Sequence, residues 1–329
     1  MIARRALLAG ACLAASRAVR AAPAAASPVP GAARSLVLIV GARPGSNSDR
    51  VARAFAPFLE RHLPGNSIEI RNVPGEAGLT AYRALAEAAP GGAVLGWAGT
   101  PALPARIVDH ADSGLMARLC LIGAVQKEPI AFVSPASSPI STAQDLIDRS
   151  AAERAAVPLG TPPAGSPPHL AALRLQAVAG TRLNVVAFPS SAAARQAVLA
   201  GNVAAASLGL GDTIGGLRDG KLVGLGLASK ARSAAFPDLP SLHDIRLPVS
   251  MTIRRGLAAP AALAPDIAAG FARAMLAVVA DPEFTAQADQ SGFFVDWLAG
   301  HDWTEMAATE QAGLAALWGA DPWLPTGAG

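Results

Sequence analysis

The sequence predicts an α/β protein of two lobes, each a doubly wound sheet flanked by helices, with a ligand cleft between the lobes. Three observations carry this expectation. The chain has 329 residues, more than one hydrophobic core usually spans, because single cores stop growing near about 250 to 300 residues. Strand, loop and helix patterns alternate in the same order twice, once before and once after residue 150, which is the signature of stacked βα units. The loops at the strand ends are rich in Gly, Ser, Thr and Asn and lead directly into helices, the arrangement that places ligands at the carboxyl ends of strands. Hydrophobic residues make up 52% and charged residues 16% of the chain. That balance excludes the low-hydrophobicity, high-charge kind of disorder and supplies a large core.

The N-terminus reads as targeting sequence. Arg4 and Arg5 precede an apolar run from Ala6 to Ala15, and Val19-Arg20-Ala21 forms a small-residue cleavage site. A membrane span needs about 20 apolar residues, and Arg17 and Arg20 interrupt this run, so residues 1–21 are expected to be a cleaved signal peptide. Residues 1–21 hold four arginines and no acid, so their removal takes the formal charge from +3 to −1. The basic character belongs to the signal, and the mature chain has no chain-wide cationic footprint for nucleic acid. Of the two cysteines, Cys12 leaves with the signal and Cys120 remains in the apolar run Arg118-Leu119-Cys120-Leu121-Ile122. It is expected to be inert, with no internal disulfide.

Residues 22–34, rich in Ala, Pro and Ser without periodicity, predict a flexible leader. Ser35 to Val40 then reads as a strand, Gly41 to Ser48 as a turn, and Val51, Ala54, Phe55, Phe58, Leu59 and Leu63 recur at helical spacing. Ile68 to Val73 gives the next strand, Pro74 to Gly78 a loop, Leu79 to Ala88 a helix, and Ala93 to Ala98 a third strand. This βαβαβ order implies a parallel sheet. After residue 150 the order recurs as strand Val157 to Thr161, helix His169 to Val178, strand Leu183 to Phe188 and helix Ala192 to Ala200, followed by strands Ala204 to Leu208 and Leu222 to Ala228. The run Gly209-Leu210-Gly211 with Gly215-Gly216 reads as a turn, because it lacks dinucleotide-fingerprint spacing. Pro265 to Ala280 and Trp303 to Trp318 predict helices that pack back on the first lobe. The expected division is residues 35–130 with 250–329 as lobe 1 and 131–249 as lobe 2.

No catalytic constellation emerges. The chain lacks a Gly-x-Ser-x-Gly elbow, a His-Glu-x-x-His pair, a P-loop and a cysteine pair with metal spacing, and His62, His110, His169, His243 and His301 are scattered. No cofactor and no metal are expected. The segment Pro44-Gly45-Ser46-Asn47-Ser48-Asp49 instead suggests a carboxylate cradle: glycine allows close backbone approach, Ser48 is placed to cap a helix, and a helix start favours an anion. An ordinary capped βα turn has the same features, and Asp49 also reads as a first-turn acid that complements the helix dipole.

Taken together these loops resemble the periplasmic receptors of tripartite tricarboxylate transporters, the Bug family. The first loop of that family, Pro-Pro-Gly-Gly-x-Thr-Asp before an Ala-Arg helix, matches Arg43-Pro44-Gly45-Ser46-Asn47-Ser48-Asp49 and Ala52-Arg53. Its Asn-x-Pro-Gly-Ala-Gly-Gly loop matches Asn72-Val73-Pro74-Gly75-Glu76-Ala77-Gly78. In the second half, Gly165-Ser166-Pro167-Pro168-His169-Leu170 and Phe188-Pro189-Ser190-Ser191-Ala192 follow in the family's order. So do Leu199-Ala200-Gly201-Asn202-Val203, Gly220-Lys221-Leu222, Pro237-Asp238-Leu239-Pro240 and Leu257-Ala258-Ala259-Pro260. The resemblance implies the two-lobed type II periplasmic binding architecture and a small organic acid held largely by backbone amides and water. It implies a cleft lined by Pro44, Gly45, Ser46, Asn47, Ser48, Asp49, Gly75, Gly78, Thr100, Gly165, Ser166, His169, Ser190 and Ser191.

The chain departs from the family pattern at Phe188-Pro189, at Pro167-Pro168, at Ala204 and at Arg254-Arg255, which stands where the family has aromatic residues. At least one of these arginines is expected to face the cleft, Arg254 being the assigned residue, because a guanidinium gives a carboxylate a bidentate, charge-assisted contact. The implied function is a periplasmic solute-binding protein, acting as a monomer, that delivers its ligand to membrane transporter subunits. A receptor that presents its ligand-bound form to a sensor protein is the alternative, and an enzyme acting on a small organic acid is the weaker one.

Overall fold

The computed structural model describes residues 34–324. The expected signal segment, and all of the leader except Arg34, lie outside the described residues. The first unit consists of β1 (Arg34–Val40), α1 (Asn47–Arg61), β2 (Asn66–Asn72), α2 (Leu79–Ala86) and β3 (Val94–Thr100). β1 runs parallel to both β2 and β3, and its Leu36, Leu38 and Val40 are buried in one core cluster. α1 turns Val51, Phe55, Phe58 and Leu59 inward, one apolar stripe at the helical period.

After α3 (Ala102–Asp109) comes the element that organises the molecule, β4 (Leu119–Pro135). Its 17 residues span about 55 Å at the usual rise per residue, long enough to serve two sheets. The chain continues through α4 (Ala143–Ala152), β5 (Pro158–Thr161), α5 (Pro167–Ala179), β6 (Asn184–Ala187), α6 (Ser191–Leu199), β7 (Ala205–Gly209), α7 (Leu210–Arg218) and β8 (Leu222–Leu227). It returns as β9 (Thr252–Pro260), α8 (Pro265–Val279), α9 (Pro282–Ser291), β10 (Val295–Ala299) and α10 (Gly300–Ala320). The strand order is β2-β1-β3-β9-β4-β7-β5-β6, with β8 and β10 also paired to β4. Residues 119–129 of β4 pair with β9, and residues 130–135 pair with β7 and β8. One strand thus belongs to both sheets.

Helices cover both faces of each sheet, which gives the two-lobed architecture. α1, α8 and α9 close one face of the first sheet over Phe55, Trp97 and Phe284. α2, α3 and the start of α10 close the other over Tyr82, Leu103 and Trp303. Around the second sheet, α4 and α5 bury Phe132, Leu146 and Leu170, and α6 and α7 bury Val198, Leu208 and Leu210.

The βαβαβ run gives the expected parallel set β1–β3, and β5–β7 form a second one, but each sheet as a whole is mixed, because β4 is antiparallel to β7, β8, β9 and β10. A chain that leaves one sheet for another and comes back must run in opposite directions at the crossing, so β4 and β9 lie side by side antiparallel. Two expectations need correction. The glycine run expected as a turn is helix α7. A Cβ at Gly216 would lie 2.6 Å from the Leu222 side chain, so glycine there permits close helix–strand packing rather than a bend. Finally, α10 does not stay on the first sheet. Its 21 residues extend about 30 Å, and Leu314, followed by Trp323, joins the core of the second. Cys120 is only partly buried, and burial pushes its thiol above the ordinary range, which keeps it protonated and unreactive.

Candidate functional site

Loops that follow β1, β2 and β6, with the first turn of α7, face one another across a cleft of about 770 Å³, a volume within the range of small-molecule sites, about 300 to 1,000 Å³. On one side stand Pro44, Gly45, Ser46 and Asn47 with Gly75 and Gly78, and on the other Ser190 and Ser191. Gly75 and Gly78 have φ of 145° and 105°, values in which side chains are strained. A Cβ at Gly75 would also lie 2.5 Å from Thr80 Oγ1. Backbone therefore forms this wall of the cleft.

Two helices begin at the cleft from opposite sheets. α1 is capped by Ser46, whose Oγ accepts the Asp49 N–H at 3.3 Å; Ser48, the expected cap, lies inside the first turn and does not line the cleft. α6 is capped by Ser190, whose Oγ accepts the Ala193 N–H at 3.1 Å. Each helix presents the positive end of its dipole to the space between. Asp49 lies beneath the loop, 2% exposed, and accepts from Gly45 N–H at 2.8 Å, Arg53 Nε at 3.0 Å and Asn72 Nδ2 at 2.8 Å. Burial alone would raise its pKa, but these hydrogen bonds and the Arg53 charge outweigh it and hold the carboxyl below the ordinary range. Asp49 thus braces the glycine turn from below, a positioning role.

The charged lining was not foreseen. Arg43, Arg50 and Glu76 reach the cleft from the first sheet, Arg195 and Asp212 from the second; Glu76 Oε2 accepts from Arg83 Nη1 at 3.2 Å, and Arg50 Nη2 stands 3.9 Å from Asp212 Oδ1. Burial, reinforced by the charge of Glu128, pushes the Asp212 carboxyl up to about 6 against the pull of Arg195, Arg255 and Arg50. Arg195 was legible in principle, since it follows Ser191 by four residues and shares its helix face. Asp212 was hidden by reading the start of α7 as a turn.

With this geometry in view, comparison with known proteins is decisive. Residues 51–314 match the family described as the tripartite tricarboxylate transporter family receptor. The chain belongs to that family. A UPF0065 protein of Bordetella bronchiseptica is 30% identical to this receptor over 256 residues, 77% of this chain and 76% of the relative. Two solved structures share the fold. The R. palustris Rpa4515 protein, described with adipate, has TM-score 0.78 at 19% identity, covering 87% of this chain and 96% of that one. MatC from Rhodopseudomonas palustris, described with bound malate, has TM-score 0.73 at 20% identity over 86% of this chain and 98% of that one. Family and fold are those of substrate-binding receptors.

The remaining expected residues of the receptor lie elsewhere. Thr100 is fully buried and accepts from Trp303 Nε1 at 3.1 Å. Gly165, Ser166 and His169 are absent from the cleft wall, to which their loop contributes only Pro163. Gly165 packs against Arg106 and Trp323, and its N–H points to His169 Nδ1 at 3.4 Å. Burial drives the His169 imidazole down to about 4, aided by Arg106 and opposed by Asp321, so it is neutral at pH 7. Arg254 is also removed from the cleft: its Nη1 donates to Asp296 Oδ2 at 2.6 Å. Arg255 donates to Gln126 Oε1 and Glu128 Oε2, each at 2.8 Å, and does not line the cleft either. Both guanidiniums are consumed by carboxylates that the linear sequence places far away.

Proposed function

We propose that the protein is an exported receptor that captures a small organic acid in the 770 Å³ cleft and delivers it to the membrane subunits of its transporter. The observation that carries this reading is the convergence of the α1 and α6 N-termini, from opposite sheets, on one cleft walled by glycine backbone. Amide donors and two dipole ends give a carboxylate its hydrogen bonds in fixed geometry, and Arg50 and Arg195 add charge at the rim. The adipate and malate described in the two structural relatives fit this chemistry. Export follows from residues 1–21, read as a cleaved signal, and no helix among the described residues is long and apolar enough to cross a membrane. The ligand bridges two sheets joined by β4 and β9, so capture closes the lobes by small changes at these strands.

A thermal-shift screen across mono-, di- and tricarboxylates and aromatic acids tests the reading. A cognate acid at 100 times its Kd adds about 2.7 kcal/mol of stability, and solution scattering of the same pair should show compaction. If no carboxylate stabilises the protein, the organic-acid assignment fails.

A further inference from the structure

A second pocket, of about 380 Å³, lies beside the crossing strands, away from the cleft. Its wall takes Lys127 and Pro129 from β4, Thr252 from the start of β9 and Phe294 from the segment before β10, and it is completed by Lys230 and Ser233 from the loop after β8. No acid lines it. Strand alternation separates Lys127 from Gln126 and Glu128, which turn to the opposite face and bind Arg255. Two carboxylates linked to this region are engaged by arginines: Asp296 by Arg254 at 2.6 Å, and Asp244 by Arg232, itself part of the wall, at 2.8 Å. Among the described residues, neither the Lys127 nor the Lys230 ammonium has an ion-pair partner. Two uncompensated ammonium groups from separate segments thus converge on a concave surface, where low-dielectric walls concentrate their field. Hydroxyls of Ser233 and Thr252 are at hand, and Phe294 and Pro129 form an apolar wall.

We propose that this pocket is a second ligand site, built for a small organic anion with a short apolar body. The anionic group sits between Lys127 and Lys230, and the body lies on Phe294 and Pro129. Because Lys127 lies in the part of β4 that pairs with β9 and Lys230 and Ser233 follow β8 of the second sheet, the occupant touches both sides of the crossing. The site is independent of the cleft and of the acid held there.

Benzoate and inorganic phosphate serve as probes, titrated at constant ionic strength into the wild-type protein and the K127A/K230A double variant, with amide chemical shifts read residue by residue. Both lysines are exposed, so the variant is expected to keep the wild-type Tm. Saturable benzoate shifts at residues 229–233 and at Thr252, weakened at least tenfold in the double variant, with phosphate binding more weakly than benzoate, support the site. The proposal is overturned by shifts confined to the cleft around Ser46 and Ser190, by undiminished benzoate affinity in the double variant, or by phosphate binding as tightly as benzoate.

Discussion

The cleft and the polar layer behind it are built from the same residue types, yet they are opposites. In the cleft, the serines, glycines and arginines that face the opening leave donor capacity for a ligand, with backbone N–H groups held by helix starts. In the inner layer the charged groups are already paired within the protein: Arg106 pairs with Asp109, which also accepts from Trp323 Nε1 at 2.8 Å and meets His110 Nδ1 at 2.6 Å. Thr100 and His169 belong to this second kind. The side chains of Arg106 and Asp109 are 3% and 0% exposed, and Asp109 ties α3 to the C-terminal segment through Trp323. The difference teaches that a polar loop becomes a binding surface only where folding leaves its hydrogen-bonding capacity unspent.

Breaking the inner layer should have the largest effect. Asp109→Ala strands the buried Arg106 guanidinium without a counter-charge and is expected to cost about 3 to 5 kcal/mol, read as a lower midpoint in urea unfolding. An unchanged midpoint would erase the contrast between the two regions.

Acid pH separates them next, because the two regions titrate with opposite sign. His169 has a native pKa of about 4 against an ordinary 6.5, so the unfolded state binds the proton more readily. Stability is therefore lost as pH falls from about 6.5 to about 4, by up to about 3 kcal/mol, and His169→Gln should flatten that part of the profile. Asp212, at about 6 against 3.8, favours protonation in the native state, so its contribution is lost as pH rises between those values. Asp212→Asn should stabilise the protein above pH 6 and leave it unchanged below pH 4, by denaturation at fixed ionic strength. Identical pH slopes in wild type and both variants would refute the assignment.

A smaller effect sharpens the cleft side. Arg195→Ala is expected to weaken binding of the acid found by screening by about 1.5 to 3 kcal/mol, the scale of a hydrogen bond to a charged group, while Tm stays within the scatter of surface substitutions. Equal affinity in calorimetry would remove Arg195 from the site. The smallest effect belongs to Arg254→Ala. With Asp296 half exposed at 42%, the lost pair should cost no more than about 1 kcal/mol of stability, with ligand affinity unchanged. A marked loss of affinity would restore Arg254 to the cleft and contradict the geometry.

The sequence by itself determined the fold class. β1, α1, α2, α5 and α6 were legible within a few residues because their apolar periodicity is a local property, and so were the glycine-rich loops at Gly45 and at Gly75 to Gly78; the caps were not, since Ser46 stands where Ser48 was expected and Ser190 was expected only as a lining residue. Tertiary structure alone decided which polar residues stay free. Arg254 meets Asp296, Arg255 meets Glu128, Thr100 meets Trp303 and Arg106 meets Asp109 only because β4 serves two sheets and α10 runs between their cores. Of these pairs only Arg106 and Asp109 are near in the chain, and even there burial by Trp323 and Gly165 is a product of assembly. A side chain's identity states what it can bond, and the fold around it states whether that bond is already made.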